Sequence, residues 1–248
     1  MNKFAGILVG SISLYLTITT PAKAASIAIA NSGFEEPNLA GVPPIIGNEV
    51  FTFDTPPGWQ LYDPSSLIPT NTNLSTSYPG VWNPSSIFFT NEAPEGENIG
   101  AIFLNQAPGS GVVGLSQTLT NTLEANTQYT LQVAVGNPAS QFFAGFPGYA
   151  IQLLAGDTII AEDNNTLDIA EGSFSTSTIV YNTSVNDSNL GQPLQIRLLN
   201  TLESNGFEVN FDDVRLSANS TPVPESDLIV GLLLLGVGFI PIKLINNR

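Results

Sequence analysis

The 248-residue chain contains no cysteine and no histidine, and only 6 basic residues against 21 acidic ones. Without cysteine there are no disulfides and no thiolate chemistry. Without histidine there is no Ser-His-Asp triad, no Cys-His pair and no His-ligated metal site. A bound metal would have to be held by oxygen, which points to Ca²⁺. Acid–base work falls to Asp, Glu, Tyr or Lys. A formal net charge of −15 leaves no basic patch for nucleic acid. Charged residues make up only 11% of the chain while hydrophobic ones make up 42%, so the sequence is a folding one rather than a disordered one.

Both ends read as addressing segments. Residues 1–24 carry Lys3, an apolar run from Phe4 to about Leu16, and Ala22-Lys23-Ala24. That order predicts a secretory signal peptide cut after Ala24, since the run is shorter than the ~20 residues a spanning helix needs. Residues 221–248 hold an uncharged stretch from Leu228 to Ile242, then Lys243 and Arg248. The tail resembles the PEP-CTERM sorting signal of bacterial exported proteins, although Ser226 stands where a second proline is usual. The expected locale is the periplasm or cell surface, with membrane contact through the tail alone before processing.

The body, about residues 25–220, has no long helical periodicity. Short runs rich in β-branched and aromatic residues recur between Gly, Pro and Asn. They predict strands at Ile99–Leu104, Leu115–Leu119, Tyr129–Val135, Tyr149–Leu154, Thr158–Ala161, Phe174–Tyr181, Leu194–Leu199 and Val209–Leu216. Tyr129, Leu131, Val133 and Val135 alternate with more polar neighbours, the pattern of a half-buried strand. Gly156-Asp157 marks a hairpin. The expected fold is all-β, an eight-stranded jelly-roll sandwich in one domain. Residues 31–98 are proline-rich and irregular, the kind of loop region that builds a site on a β scaffold.

The candidate chemistry starts at "NFDDVRL". Asp is disfavoured in strands, and Asp212 and Asp213 stand side by side in one. Alternation sends one to each face. One is expected toward an aromatic cleft as a proton donor, the other toward a cation, and we expect Asp212 in the first role and Asp213 in the second. Strict parity also allows the reverse, because Val214 and Leu216 would share the Asp212 face. "NSGFEEP" near the other end supplies Asn31 and Glu35 as further oxygen donors. "N-x-G-F-E" paired with "F-D-D-V-x-L" resembles the galactose-binding-like jelly rolls of carbohydrate-binding modules. That resemblance implies first and last strands side by side with a structural Ca²⁺ between them.

The aromatic residues are the other resource. "SQFFAGFPGY" places Phe142, Phe143 and Phe146 within five positions, too many for one strand to bury. Phe142 and Phe146, with Trp82 and Phe103, are the expected lining of an apolar pocket. "NEAPEGEN", "APGSGV", "AGFPGY", "LLAGDT" and "FDDVRL", between about Gly80 and Leu216, together resemble the hapalindole-type terpenoid-indole cyclases of cyanobacteria, the Stig cyclases. The resemblance implies a Ca²⁺-dependent enzyme that takes an indole bearing geranyl and isocyanovinyl groups. It implies a [3,3] Cope rearrangement, a cyclisation, and attack of the indole ring on the resulting cation. It places the family's pocket acid at Asp212, and Phe103 where the family has a tyrosine. The expected partners are a small apolar indole-terpenoid and a second copy of the chain in a homodimer. The residues alone leave two alternatives, a non-catalytic carbohydrate-binding module and a structural surface protein.

Overall fold

The computed structural model describes residues 24–139, 143 and 145–220. Among these the regular elements are twelve strands: β1 (Ala25–Ile27), β2 (Val50–Phe51), β3 (Gln60–Tyr62), β4 (Tyr78–Asn83), β5 (Ile99–Phe103), β6 (Val113–Thr122), β7 (Thr127–Asn137), β8 (Tyr149–Ala155), β9 (Thr158–Asn164), β10 (Ser173–Asn182), β11 (Pro193–Asn200) and β12 (Glu208–Ser220). The predicted leader, apart from Ala24, and the predicted tail lie outside the described residues.

All eight predicted strands are present and all pairing is antiparallel. One sheet has seven strands in the order β10-β7-β12-β5-β4-β2, with β1 also on β12. The other has five, β3-β6-β11-β8-β9. The expectation of eight strands falls short by β1 to β4. The first three are two or three residues long, and β4 carries Pro79 and Gly80, which sequence patterns read as breakers. Gly80 is required there: a Cβ would stand 2.3 Å from the Thr52 carbonyl of the crossing segment.

The two sheets enclose the main core. Ile102, Leu131, Val133, Val135, Val209 and Phe211 face Leu115, Ile151, Leu153, Ile196 and Leu198. Each such side chain stabilises the fold by about 1.5–3 kcal/mol on burial. The alternation expected in β7 holds, with Tyr129, Leu131, Val133 and Val135 all buried.

Strand β12 organises the site. One edge pairs with β7 along its length. The other is divided: Glu208–Phe211 pair with β5, and Leu216–Ala218 pair with β1. Between them the register shifts at Asp212/Arg215, and Asp213 takes φ +48°. This bulge adds one residue and resets the parity. Val209 and Phe211 point into the core before it, Val214 and Leu216 after it. Glu208, Asn210 and Asp212 share the outer face. The first and last strands lie side by side, as the N-terminal and C-terminal motifs implied.

Candidate active site

On the outer face of the seven-stranded sheet, cross-strand neighbours form rows. Tyr78, Phe103 and Glu208 make one row across β4, β5 and β12. Gly80, Ala101 and Asn210 make the next, and Trp82 and Ile99 the one after. The middle row is made of small side chains between aromatic ones, so the surface sinks there.

The loop from Ile46 to Thr52, with Leu74, Ile87, Phe88 and Phe143, raises walls around this floor. The result is a cavity of about 640 Å³, the volume of a small-molecule site. Tyr78 stacks on Phe103 with ring centroids 5.1 Å apart. Trp82 meets Phe88 edge-on at 5.0 Å and Phe143 at 6.2 Å. Ile46, Leu74 and Ile87 rim the mouth at 58%, 43% and 71% exposure, so an entering molecule meets apolar surface first.

Few polar groups enter the cavity. Two buried acids line it, Glu49 and Glu208. Glu208 Oε1 accepts a 2.9 Å hydrogen bond from Asn210 Nδ2, and burial pushes the Glu208 pKa up to about 8. The carboxyl is therefore neutral and proton-bearing at neutral pH. The Tyr78 phenol is raised by burial and then by the Glu208 charge, so it stays protonated. Glu49 Oε2 accepts from the Trp82 indole at 2.9 Å and from the Ser85 backbone N–H at 3.1 Å, which locks the Trp82 ring against the cavity. Its Oε1 has no hydrogen-bond partner among the described residues. A neutral acid, a phenol and ring faces can protonate an apolar substrate and shelter a cation.

Of the expected pocket residues, Trp82 and Phe103 line the cavity. Phe142 lies outside the described residues. Phe146 does not line it: the ring packs on the main core, 6.3 Å from Tyr149. Asp212 does not face the aromatics either. It lies four residues beyond Glu208, about 13 Å along the strand, behind the buried Ile99. Its carboxylate accepts from the Glu95 N–H at 2.8 Å and the Asp213 N–H at 2.7 Å. Burial raises it to about 8, with the Glu95 and Asp213 charges adding to the effect. The cavity acid that burial keeps neutral is Glu208, one position before the predicted strand began. Alternation run back from Asp212 puts Glu208 on the same face, and that was the available clue.

The acidic hollow lies at the other end of the bulge, lined by Asn31, Glu35, Glu36 and Glu95 with nearby backbone. Glu35 Oε1 accepts from the Glu97 and Asn98 N–H groups at 2.9 Å each. Glu95 Oε2 lies where a Cβ on Gly33 would be, 1.4 Å from that point. The Asn31 side chain is spent on its own loop, donating to the Glu36 and Pro57 carbonyls and accepting from the Glu36 N–H. Asp213, expected here, turns away to Arg215 at 2.7 Å because its left-handed backbone swings it outward. The donors available are hard oxygens of Glu35 and Glu95, and the buried Asn98 Oδ1 beside them has no protein partner among the described residues. That chemistry suits Ca²⁺, although among the described residues no three acidic side chains converge on one point.

A family model described as HpiC1 cyclase, of the HpiC1-like family, matches residues 25–217. Among solved structures, the Stig cyclase Fisc from Fischerella sp. TAU, in complex with (3Z)-3-(1-methyl-2-pyrrolidinylidene)-3H-indole, is 42% identical. It covers 81% of this chain and 100% of its own, with a TM-score of 0.75. A cyclase from Fischerella sp. TAU bound to 4-(1H-indol-3-yl)butan-2-one is 43% identical over 81% of this chain and 100% of its own, with a TM-score of 0.73. An apo-form cyclase from Fischerella sp. is 43% identical over 81% of this chain and 98% of its own, with a TM-score of 0.75. No curated protein matches the chain.

Proposed function

Because the chain belongs to the HpiC1-like cyclase family, we propose that it cyclises a geranylated isocyanovinyl indole, with Glu208 as the acid and the aromatic cavity as the mould. The observation that carries this is a buried, proton-bearing carboxyl, Glu208, set among the Tyr78, Trp82, Phe88, Phe103 and Phe143 rings. Among the described residues the lining is mostly apolar and aromatic and holds no sugar-like array of donors, which favours this reading over carbohydrate binding. The indole ligands of the Fischerella relatives agree in chemical class.

The substrate enters over the apolar rim and folds between the rings, its indole N–H on Glu49 Oε1. Compression into one pose favours the [3,3] rearrangement, which moves no atoms to or from the protein. Glu208 then gives its proton to the rearranged substrate and becomes a carboxylate. The carbocation that forms faces ring π-systems, a contact of about 2 kcal/mol when desolvated. Indole carbon attacks the cation, and the proton lost on rearomatisation returns to Glu208. The sequence is a net isomerisation, and the acid is regenerated.

We place Ca²⁺ in the acidic hollow, on Glu35, Glu95 and neighbouring carbonyls, where it would tie the N-terminal segment to the bulge of β12. Its contribution there is structural. Export of the body, with the tail as a transient anchor, is part of the same proposal. The test is the purified protein with the geranylated isocyanovinyl indole, assayed with and without EDTA, beside Glu208→Gln. Cyclised product from the wild type and at least 100-fold less from Glu208→Gln is expected. Equal turnover by Glu208→Gln sinks the assignment of the acid, and no product from the wild type sinks the substrate.

A further inference from the structure

Asn210 is wholly buried between the acid and the sheet, and its environment leaves it little freedom. It pairs across the sheet with Ala101 on β5 and Gly136 on β7, so small neighbours flank it on both sides. Its Nδ2 donates to Glu208 Oε1 at 2.9 Å and to the Gly100 carbonyl at 3.4 Å. The Gly100 carbonyl can only accept, which fixes the amide with nitrogen toward Glu208. Asn210 Oδ1 is buried with no partner among the described residues.

That orientation has a chemical result. The carbonyl oxygen of a neutral acid is its stronger acceptor, so the N–H on Oε1 favours Oε1 as the carbonyl oxygen. The acid's proton is thereby biased toward Oε2. Oε2 has no protein partner among the described residues and belongs to a side chain that lines the cavity. We propose that Asn210 is a positioning residue: it holds the Glu208 proton on Oε2, facing the bound substrate, and keeps it from being spent within the protein. The inference rests on Glu208 being the acid.

The other ionisable groups around Glu208 are Tyr78 from β4 and Glu49 from the covering loop, both cavity-lining. Tyr78 stays neutral, and both are unchanged in the variants below. Nδ2 favours the ionised form of Glu208, so its loss moves the Glu208 titration to higher pH. In Asn210→Ala and Asn210→Asp, kcat should fall on the order of 10- to 100-fold with KM little changed. The alkaline limb of the kcat–pH profile should move upward. A fall in kcat that only follows loss of folded protein, with the limb unmoved, overturns the proposal. The wild type supplies a measurement that needs no stable Asn210 variant and no turnover. The infrared difference between the wild type and Glu208→Gln should show a protonated carboxyl whose C=O accepts a hydrogen bond. A free C=O stretch overturns the role of Asn210 whatever the activity. A hydrogen-bonded stretch with undiminished turnover in Glu208→Gln overturns the acid assignment instead.

Discussion

Replacing Glu208 by Gln should cost the protein its activity and raise its stability, by an amount that grows with pH. Gln fills the same volume and still accepts the Asn210 hydrogen bond, so the packing is preserved. The carboxyl is lifted from an ordinary 4.5 to about 8 by burial. A raised acid binds its proton more tightly folded than unfolded. Its contribution is fully present below pH 4.5 and is lost as pH rises through 8. At about 1.4 kcal/mol per pKa unit, the loss amounts to about 5 kcal/mol by pH 9, and about 3 kcal/mol has gone by pH 7. The wild type should therefore approach Glu208→Gln in stability near pH 4.5 and fall behind it steadily above. Urea unfolding of both proteins between pH 5 and 9, with and without added Ca²⁺ held constant across the pair, reads the difference directly. Asp212 is also raised, but it is common to both and cancels. Parallel curves across that range would refute the buried, neutral acid, and with it the proton source.

Three further outcomes follow from the geometry. Phe103→Tyr puts a hydroxyl in the row between Tyr78 and Glu208; the fold should be unaffected while the ratio of cyclised products changes, as read by chromatography with mass detection. Asp212→Ala strips the acceptor from the Glu95 and Asp213 N–H groups, and should cost on the order of 1–3 kcal/mol. Its activity per folded molecule should stay within a few-fold of wild type, and a complete loss in well-folded protein would contradict the placement of that carboxylate. Removing Ca²⁺ with EDTA, or replacing Glu35 and Glu95 by Gln, should lower the melting temperature and abolish Ca²⁺ binding by calorimetry while leaving the acid in place.

Much of the fold was legible because it is written in local patterns. Strands such as β7 alternate over many residues, and the β8–β9 hairpin carries Gly156 at its turn. The short strands β1 to β3 have no pattern to read, and β4 is masked by Pro79 and by Gly80, whose missing Cβ makes room for the Thr52 carbonyl. The N- and C-terminal motifs announced their pairing. The site was legible in kind: an acid, aromatic rings, an oxygen-donor hollow. Trp82 and Phe103 line the cavity. Asp212 and Asp213 were assigned by strict alternation, and a bulge changes that count without leaving a mark that composition can reveal. Glu208 escaped because a single Glu before an apolar run looks like a strand end. It pairs with Phe103 across the sheet and shares a cavity with the Ile46–Thr52 loop, neighbours far away in sequence.

The bulge in β12 works like a shift of reading frame. Up to Phe211 the strand is read with odd positions inward; after Asp213 it is read with even positions inward. The half-buried Asp213 side chain lies outside the core, beside Arg215. The presence of a residue there matters a great deal. Deleting it would leave one half of the strand out of phase, either Val214 and Leu216 expelled from the core or Glu208 and Asn210 turned into it. For this strand a point substitution is a spelling change, and a one-residue deletion scrambles every word on one side of it.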